Sequence, residues 1–141
     1  MRVYSVAGWN DLLSGTSPTA NAWNHVAMVR NSSDNTLKIY LNGSLVHTVS
    51  SETTNYTFTH LAVGIFYSTT YPFNGYISNF RVLKGTALYT SNFTVTSSKL
   101  TAITNTKLLT CNDSNTIDDA SSSSHNIIVT GDSVATRFNP F

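Results

Sequence analysis

The stretch "AWNHVAMVRNSSDNTLKIYLNGSLVHTV", from Ala22 to Val49, decides the fold of this protein. Within it, "LKIYL" (37–41) places its three aliphatic side chains on one face of an extended chain and Lys38 and Tyr40 on the other. An alternation with a period of two residues is typical of a half-buried β-strand. The pattern therefore predicts a strand with one face towards a core.

Asn42-Gly43 follows this strand directly and precedes a second apolar run, "SLVHTV" (44–49). An Asn-Gly pair between two such runs is the strongest short signal for a β-hairpin, because both central residues of a type I′ turn need a positive φ. A third apolar run, "HVAMVR" (25–30), lies before the polar "NSSDN" (31–35), which we interpret as a turn. The sequence thus predicts three consecutive antiparallel strands that serve as scaffold.

The rest of the chain continues in short apolar runs separated by polar turns. Gly64 and Ser78-Asn79 are expected to interrupt strands by a bulge or a close backbone approach. A loop is expected at 67–75, a short helical turn within 84–93, and further strands at 57–66, 76–83, 106–111 and 125–130.

Many short strands of this kind favour an all-β fold, an antiparallel β-sandwich or jelly roll. We predict one domain over residues 1–141, in which 99–141 form a C-terminal strand pair and an extended arm.

The amino-acid composition argues against nucleic acid and anionic membranes as binding partners. The net charge is +1, and charged residues make up only 11% of the chain, while Asn, Ser and Thr number 15, 19 and 21. A net charge this close to zero does not attract nucleic acid or an anionic membrane, so neither partner is expected. The single cysteine, Cys111, excludes an intrachain disulfide and a cysteine zinc site. No apolar run is long enough for a membrane span or resembles a secretory signal.

Two separated motifs carry a family resemblance: "WNHVAMVR" with "LKIYLNG", and, further on, "PFNGYISNFRVLKGTALYTSNFT". Together they resemble laminin-G-like modules of the concanavalin A-like lectin/glucanase superfamily, in the versions common in bacteriophage virion and tail proteins. The resemblance runs from about residue 20 to about residue 100 and implies a jelly roll of two curved antiparallel sheets. It also implies that Trp23 begins a strand, that Asn42-Gly43 is a hairpin tip and that 75–77 open a late strand.

The chain departs from that family at both ends. Only some twenty residues precede the Trp-x-His motif at Trp23, whereas residues 108–132 resemble the strand pair that usually begins such a module. Either the tail completes a permuted sandwich, or the module is truncated and another subunit supplies the missing surface. Since an incomplete sandwich leaves strand edges open to pairing, we expect self-association through strand edges or contacts with other virion subunits.

The superfamily includes glucanases, but the carboxylates do not support hydrolysis. Glycosidases need two carboxylates facing each other across the scissile bond. Glu52 is the one glutamate, and Asp118 and Asp119 are adjacent, so on a strand they would point to opposite faces. The four histidines show no metal-ligand spacing, and no Gly-x-Ser-x-Gly motif occurs. We therefore predict that the protein is not an enzyme.

A calcium site is the remaining metal hypothesis. Asp113, Asp118 and Asp119, with Asn112, could offer oxygen ligands to this hard cation. Runs rich in Asn and Asp are also ordinary turn chemistry. These few oxygens fall short of a calcium shell, so we favour the turn and expect no cofactor.

Aromatic residues are the best candidates for binding a ligand. Sugars present C–H faces that stack on aromatic rings, and Asn side chains can bond their hydroxyls. Tyr67, Tyr71, Phe73 and Asn74 cluster in the loop 67–74, for which packing and ligand contact remain equal alternatives. For Trp23 the family resemblance instead implies a core anchor, as is usual for large aromatic residues. The wider set of aromatic candidates also includes Trp9, Tyr76 and Tyr89.

These observations and the resemblance together predict a non-enzymatic structural or adhesion module of a bacteriophage particle. It would decorate the capsid or form part of a tail or fibre, and glycans of the host surface are the expected ligand. The location would then be the virion. The alternative is a freestanding carbohydrate-binding lectin or adhesin module of a cell, which would be extracellular.

Overall fold

The computed structural model describes residues 2–5, 8–11, 16–57, 60–66 and 71–140, with 2–5, 8–11 and 66 described by their backbone alone. The described residues form β-strands and no helix, and accordingly none that is long and apolar enough to cross a membrane. The strands are β1 (Arg2–Ser5), β2 (Gly8–Asp11), β3 (Val26–Asn31), β4 (Thr36–Leu41), β5 (Ser44–Val49), β6 (Ile65–Phe66), β7 (Tyr71–Pro72), β8 (Phe80–Leu83) and β9 (Thr106–Thr110).

The chain divides into two compact units. Unit 1 comprises Met1–Thr54 and Thr86–Thr96, and unit 2 comprises Asn55–Gly85 and Ser97–Phe141. Every strand pair is antiparallel. Unit 1 holds the pair β1–β2 and the sheet β3–β4–β5, and unit 2 holds the pairs β6–β7 and β8–β9. The prediction of one domain over 1–141 stays a prediction.

The sheet β3–β4–β5 confirms the predicted meander. Met28 pairs with Ile39 across β3 and β4, and the register of β4 with β5 shifts between Ile39 and Tyr40. At the tip, Asn42 and Gly43 have φ values of 50° and 82°, as a type I′ turn requires. The Asn-Gly signal therefore identified both the turn and its conformation.

One face of β4 forms an aliphatic core. Leu37 and Ile39 are buried, and Val46 and Val49 of β5 pack against them. These residues belong to the alternation that the sequence shows. Burial of such side chains contributes roughly 1.5–3 kcal/mol each, so this face stabilises the sheet.

The other face of β4 is covered by the segment 86–96. Tyr40 is fully buried, and its ring meets those of Tyr89 and Phe93 at centroid distances of 6.4 and 5.5 Å. Its hydroxyl donates to the Tyr89 carbonyl oxygen at 3.3 Å, and Lys38 Nζ donates to the Thr90 carbonyl oxygen at 3.2 Å. Burial raises the pKa of Tyr40, and the nearby charge of Asp34 adds to this, so its hydroxyl stays protonated and can donate.

The same segment is bonded to the hairpin tip. The Phe93 N–H donates to the Gly43 carbonyl oxygen at 2.9 Å, and Asn92 Oδ1 accepts the Leu45 N–H at 2.8 Å. The end of the second motif, residues 86–94, therefore contacts the first motif within unit 1.

In unit 2, β8 pairs with β9, and the Asn79 N–H donates to the Cys111 carbonyl oxygen at 2.8 Å just beyond the ladder. The predicted strand 76–83 thus begins only at Phe80, and 75–77 do not open it. The register shift lies between Val82 and Leu83 rather than at Ser78-Asn79. Asn79 instead has a φ of 55°, which turns the chain into β8.

Several other local predictions were wrong. Residues 60–64 of the predicted strand 57–66 form no strand, while 58–59 lie outside the described residues. Residues 84–93 contain no helical turn, and Trp23 lies before a strand that begins at Val26. Residues 125–130 form no strand, so the C-terminal strand pair is absent: β9 pairs with β8 instead. These short runs lack an Asn-Gly turn that would fix a neighbouring partner.

Candidate functional site

The segment proposed for ligand binding forms the second arm of a short hairpin. We call residues 64–66 and 71–74 the aromatic hairpin. Ile65 pairs with Pro72 and Phe66 with Tyr71, and the Phe73 N–H donates to the Gly64 carbonyl oxygen at 2.8 Å. Pairing therefore continues by one residue beyond β7. Because side chains alternate along a paired strand, Tyr71 and Phe73 project to the same side.

Both rings face solvent. Tyr71 is 62% exposed and Phe73 58% exposed, and the neighbouring Asn74 is also exposed. The Phe73 ring lies against Gly75, where a Cβ would come within 2.9 Å of Cε1 and Cζ of the ring. Glycine at position 75 thus leaves the room that the ring occupies. Exposed aromatic rings on one side of a strand are candidates for contact with a ligand.

Three of the four predicted ligand residues, Tyr71, Phe73 and Asn74, lie exposed in or just after β7, and Tyr67 lies outside the described residues. Their assignment to ligand binding stays a prediction.

The other aromatic candidates have different surroundings. Tyr89 stacks on Phe93 at 3.6 Å, so its role is structural, and Trp23, predicted as a core anchor, is half-buried. Tyr76 lies against Phe138, with centroids 4.5 Å apart. The side chain of Trp9 is not among those described.

Each of the three calcium candidates accepts hydrogen bonds from residues nearby in sequence. Asp113 accepts the Asn115 N–H at 2.8 Å and pairs with Lys99 at 3.3 Å, and Asp118 accepts the Thr116 hydroxyl at 3.1 Å. The Asn115 N–H and the Lys99 ammonium lower the pKa of Asp113. Among the described residues, no group of three or more His, Cys, Asp or Glu side chains could hold a metal ion. The turn interpretation fits these contacts.

Asp119 is the most heavily bonded carboxylate of unit 2. Its Oδ1 accepts the N–H groups of Leu109 and Ser121 at 3.0 and 2.9 Å. Its Oδ2 accepts the His125 N–H and the Ser121 hydroxyl, both at 2.9 Å. Burial alone would raise the pKa of Asp119, but the donated hydrogen bonds, led by that of His125, lower it to about 2.

This carboxylate joins the 119–125 turn to β9, a structural role that sequence reasoning missed. The signal available was an Asp followed by Ser at the second position, which is typical of an Asx turn.

The remaining reactive side chains also have structural roles. Glu52 Oε1 accepts the Thr54 N–H at 2.7 Å, and the His25 ring packs edge-on against Phe93 at 5.4 Å. Cys111 is half-buried, and burial raises the pKa of its thiol, which stays neutral at pH 7. In the described chain these groups show no arrangement of nucleophile and base.

An antiparallel all-β fold that presents adjacent aromatic rings to solvent defines a binding or structural β-module. A laminin G-type family model, described as the concanavalin A-like lectin/glucanases superfamily, matches residues 1–92 of the 141. The chain belongs to this superfamily, which confirms the predicted family and fold class, the all-β sandwich. The match includes the residues before the Trp-x-His motif, and residues 93–141 lie outside it. Searches of curated proteins and of solved structures gave no match.

Membership places the chain among carbohydrate-binding or structural modules. Modules of this class are generally not catalytic.

Proposed function

We propose that the protein is a non-enzymatic adhesion module of a bacteriophage particle, on the capsid or in a tail or fibre, and that it recognises host-surface glycans. The aromatic hairpin is its contact surface. The observation that carries the glycan half of the proposal is the joint exposure of Tyr71 and Phe73 on one side of a paired strand.

The chemistry of this surface suits a neutral sugar. The two rings offer stacking surfaces to C–H faces, and the Asn74 amide can both donate to and accept from hydroxyls. The side chains of 71–75 carry no formal charge, so binding would depend on stacking and hydrogen bonds and only weakly on salt.

Non-enzymatic action is supported by the carboxylates. Glu52, Asp113, Asp118 and Asp119 each accept hydrogen bonds from neighbouring residues in a turn. A glycosidase instead needs two carboxylates that flank a sugar and reach it. Incubation with β-glucans should therefore release no reducing sugar. Release that is lost in Glu52→Ala or Asp118→Ala would contradict this part of the proposal.

Placement in a phage particle is supported by the motifs that resemble phage virion modules. Antibodies against the chain should label purified particles at one defined structure. A chain that is absent from particles but binds glycans as a secreted protein would favour the alternative, a freestanding lectin or adhesin of a cell.

A glycan array tests ligand recognition. The wild type should bind a subset of glycans, and the double variant Tyr71→Ala/Phe73→Ala should lose this binding. Phe138→Ala is the matched control, because Phe138 is equally exposed at 57% but lies outside the aromatic hairpin. Equal loss in both variants, or no binding by the wild type, would overturn glycan recognition.

A further inference from the structure

Residues 125–130, "HNIIVT", form an apolar segment without a strand partner, and we call them the C-terminal apolar segment. Ile128 is 78% exposed, and Val129 is exposed beside it. Consecutive Ile, Ile, Val and Thr residues strongly favour β-structure. An exposed run of such residues can form a β-strand by pairing with the open edge of a sheet.

One edge of the sheet β3–β4–β5 is open. β3 pairs with β4 on one side, and in the described part of the chain no hydrogen bond reaches its other side. Val26 and Met28 of β3 are exposed, Met28 at 47%. An exposed edge with apolar side chains is a template for a further strand.

Two other strand edges are already occupied. At β5, the Leu45 N–H is bonded to Asn92 Oδ1 at 2.8 Å. At β9, the Leu109 carbonyl oxygen accepts the Ala120 N–H at 2.8 Å, and the Lys107 carbonyl oxygen accepts the Ser121 hydroxyl at 3.2 Å. Side chains and turns thus block these edges, whereas β3 has no such block among the described residues.

The open edge of β3 and the C-terminal part of the chain also carry opposite charges. Arg30 is the charged residue of β3 and is only half-buried. Asp132 is the first acidic residue after the C-terminal apolar segment. Val26 and Arg30 are four residues apart, as are Ile128 and Asp132, so a parallel pairing that sets Ile128 beside Val26 also sets Asp132 beside Arg30.

Gly131 permits the change of shape that this pairing needs. It has a φ of 66°, and nothing lies within 4 Å of the position of a Cβ. Glycine exchanges between positive φ and extended backbone at little cost. Residues 128–132 can therefore straighten into one strand.

We propose that residues 128–132 of one copy of this chain, which begin within the C-terminal apolar segment, add as a parallel strand to the open edge of β3 in a second copy. The exchange is reciprocal, and its smallest closed form is a two-fold dimer. This inference adds a mode of self-association to the proposed function and is independent of the aromatic hairpin.

Light scattering on eluted peaks tests the association. The wild type should be a dimer at micromolar concentration, and Ile128→Lys and Met28→Lys should each become monomers that still unfold cooperatively. Val134→Lys is the matched control, because Val134 is 77% exposed but lies outside the paired segment, and this variant should stay dimeric. A monomeric wild type, or equal behaviour of the Ile128 and Val134 variants, would overturn the proposal.

Cysteine pairing tests the register and the identity of the partner. Two proteins, Val26→Cys and Ile128→Cys, are prepared in a Cys111→Ser background, mixed and oxidised. Adjacent strands lie about 4.8 Å apart, within disulfide reach, so a covalent heterodimer should form. Failure to form it would contradict the register. A disulfide that forms in the double variant Val26→Cys/Ile128→Cys within one chain only would show that the segment closes on its own β3 and would overturn the exchange.

Glycan binding separates the two proposals. Ile128→Lys should bind glycans as the wild type does, and Tyr71→Ala/Phe73→Ala should still dimerise. Each failure therefore overturns one proposal and leaves the other standing.

Discussion

The backbone of Phe93 lies directly against Gly43. The Phe93 N–H donates to the Gly43 carbonyl oxygen at 2.9 Å, and the Phe93 carbonyl oxygen overlaps the position that a Cβ on Gly43 would take. Glycine is therefore needed at the tip both for its positive φ and for this close approach. The contact links two motifs that are some fifty residues apart in sequence and explains why they occur together.

Gly43→Ala should destabilise the protein by about 2–4 kcal/mol, since the strained φ and the steric overlap add. Gly85→Ala is the control, because its φ is also positive but an added Cβ would meet nothing closer than Asn105 Nδ2 at 3.7 Å, and the cost should be only about 1–2 kcal/mol. Urea denaturation monitored by tryptophan fluorescence measures both. Equal losses would show that Phe93 does not restrict the tip.

Tyr40→Phe should cost about 1 kcal/mol, because the ring stays buried while the hydrogen bond to the Tyr89 carbonyl oxygen is lost. Tyr40→Ala should cost about 3–5 kcal/mol, because it empties the space under Tyr89 and Phe93. Thermal unfolding compares the two variants. If Tyr40→Phe were as unstable as Tyr40→Ala, packing of the ring would not be the main contribution of Tyr40 to stability.

The Asp119 network predicts a stability that depends on acid. Hydrogen bonds to the carboxylate lower its pKa in the folded protein from 3.8 to about 2. The stabilisation is complete above the unfolded value of 3.8 and is lost as the pH falls through the folded value of about 2. For a half-exposed carboxylate it amounts to something on the order of 1 kcal/mol.

Denaturation midpoints between pH 5 and pH 2 measure this term. Asp119→Asn should lower stability at pH 5 and flatten the fall towards pH 2. Asp118→Asn is the control, since Asp118 accepts only the Thr116 hydroxyl among the described contacts, and it should keep the wild-type profile. A wild-type profile in Asp119→Asn would contradict the role of the network.

Gly75→Ala should displace the Phe73 ring and leave the fold intact. The added Cβ would meet Cε1 and Cζ of that ring at 2.9 Å, and the exposed ring can swing away. We expect a change in stability of less than about 1 kcal/mol and at least tenfold weaker glycan binding. Titration calorimetry against a glycan found on the array measures the affinity. Unchanged affinity would mean that the position of the Phe73 ring does not matter.

The part of the fold that could be predicted from sequence is the part fixed by neighbours in sequence. Asn42-Gly43 sets the turn, and the alternation from Leu37 to Leu41 sets the buried face, so the meander followed from local chemistry. β8 and β9 have no such turn between them, and their pairing depends on contacts over more than twenty residues. The same holds for residues 125–130: their composition favours a strand, but it does not show which strand they would pair with.

The sequence predicted which residue types make up the candidate site, but it did not predict their arrangement. The aromatic cluster was visible in sequence, but the exposure of Tyr71 and Phe73 and the space at Gly75 follow from the pairing of β6 with β7. The role of Asp119 could not be predicted, because all four of its hydrogen bonds come from Leu109, Ser121 and His125 once the turn is folded against β9. Hydrogen bonds between a side chain and the backbone of a distant strand cannot be recognised from amino-acid composition.

The most direct test of the central claim, glycan recognition by the aromatic hairpin, is nuclear magnetic resonance of the isotope-labelled protein during titration with a glycan found on the array. We predict that amide shifts change at residues 64–66 and 71–75 and that the side-chain amide of Asn74 shifts with them. Changes confined to other parts of the chain, or no changes at saturating glycan, would contradict the account.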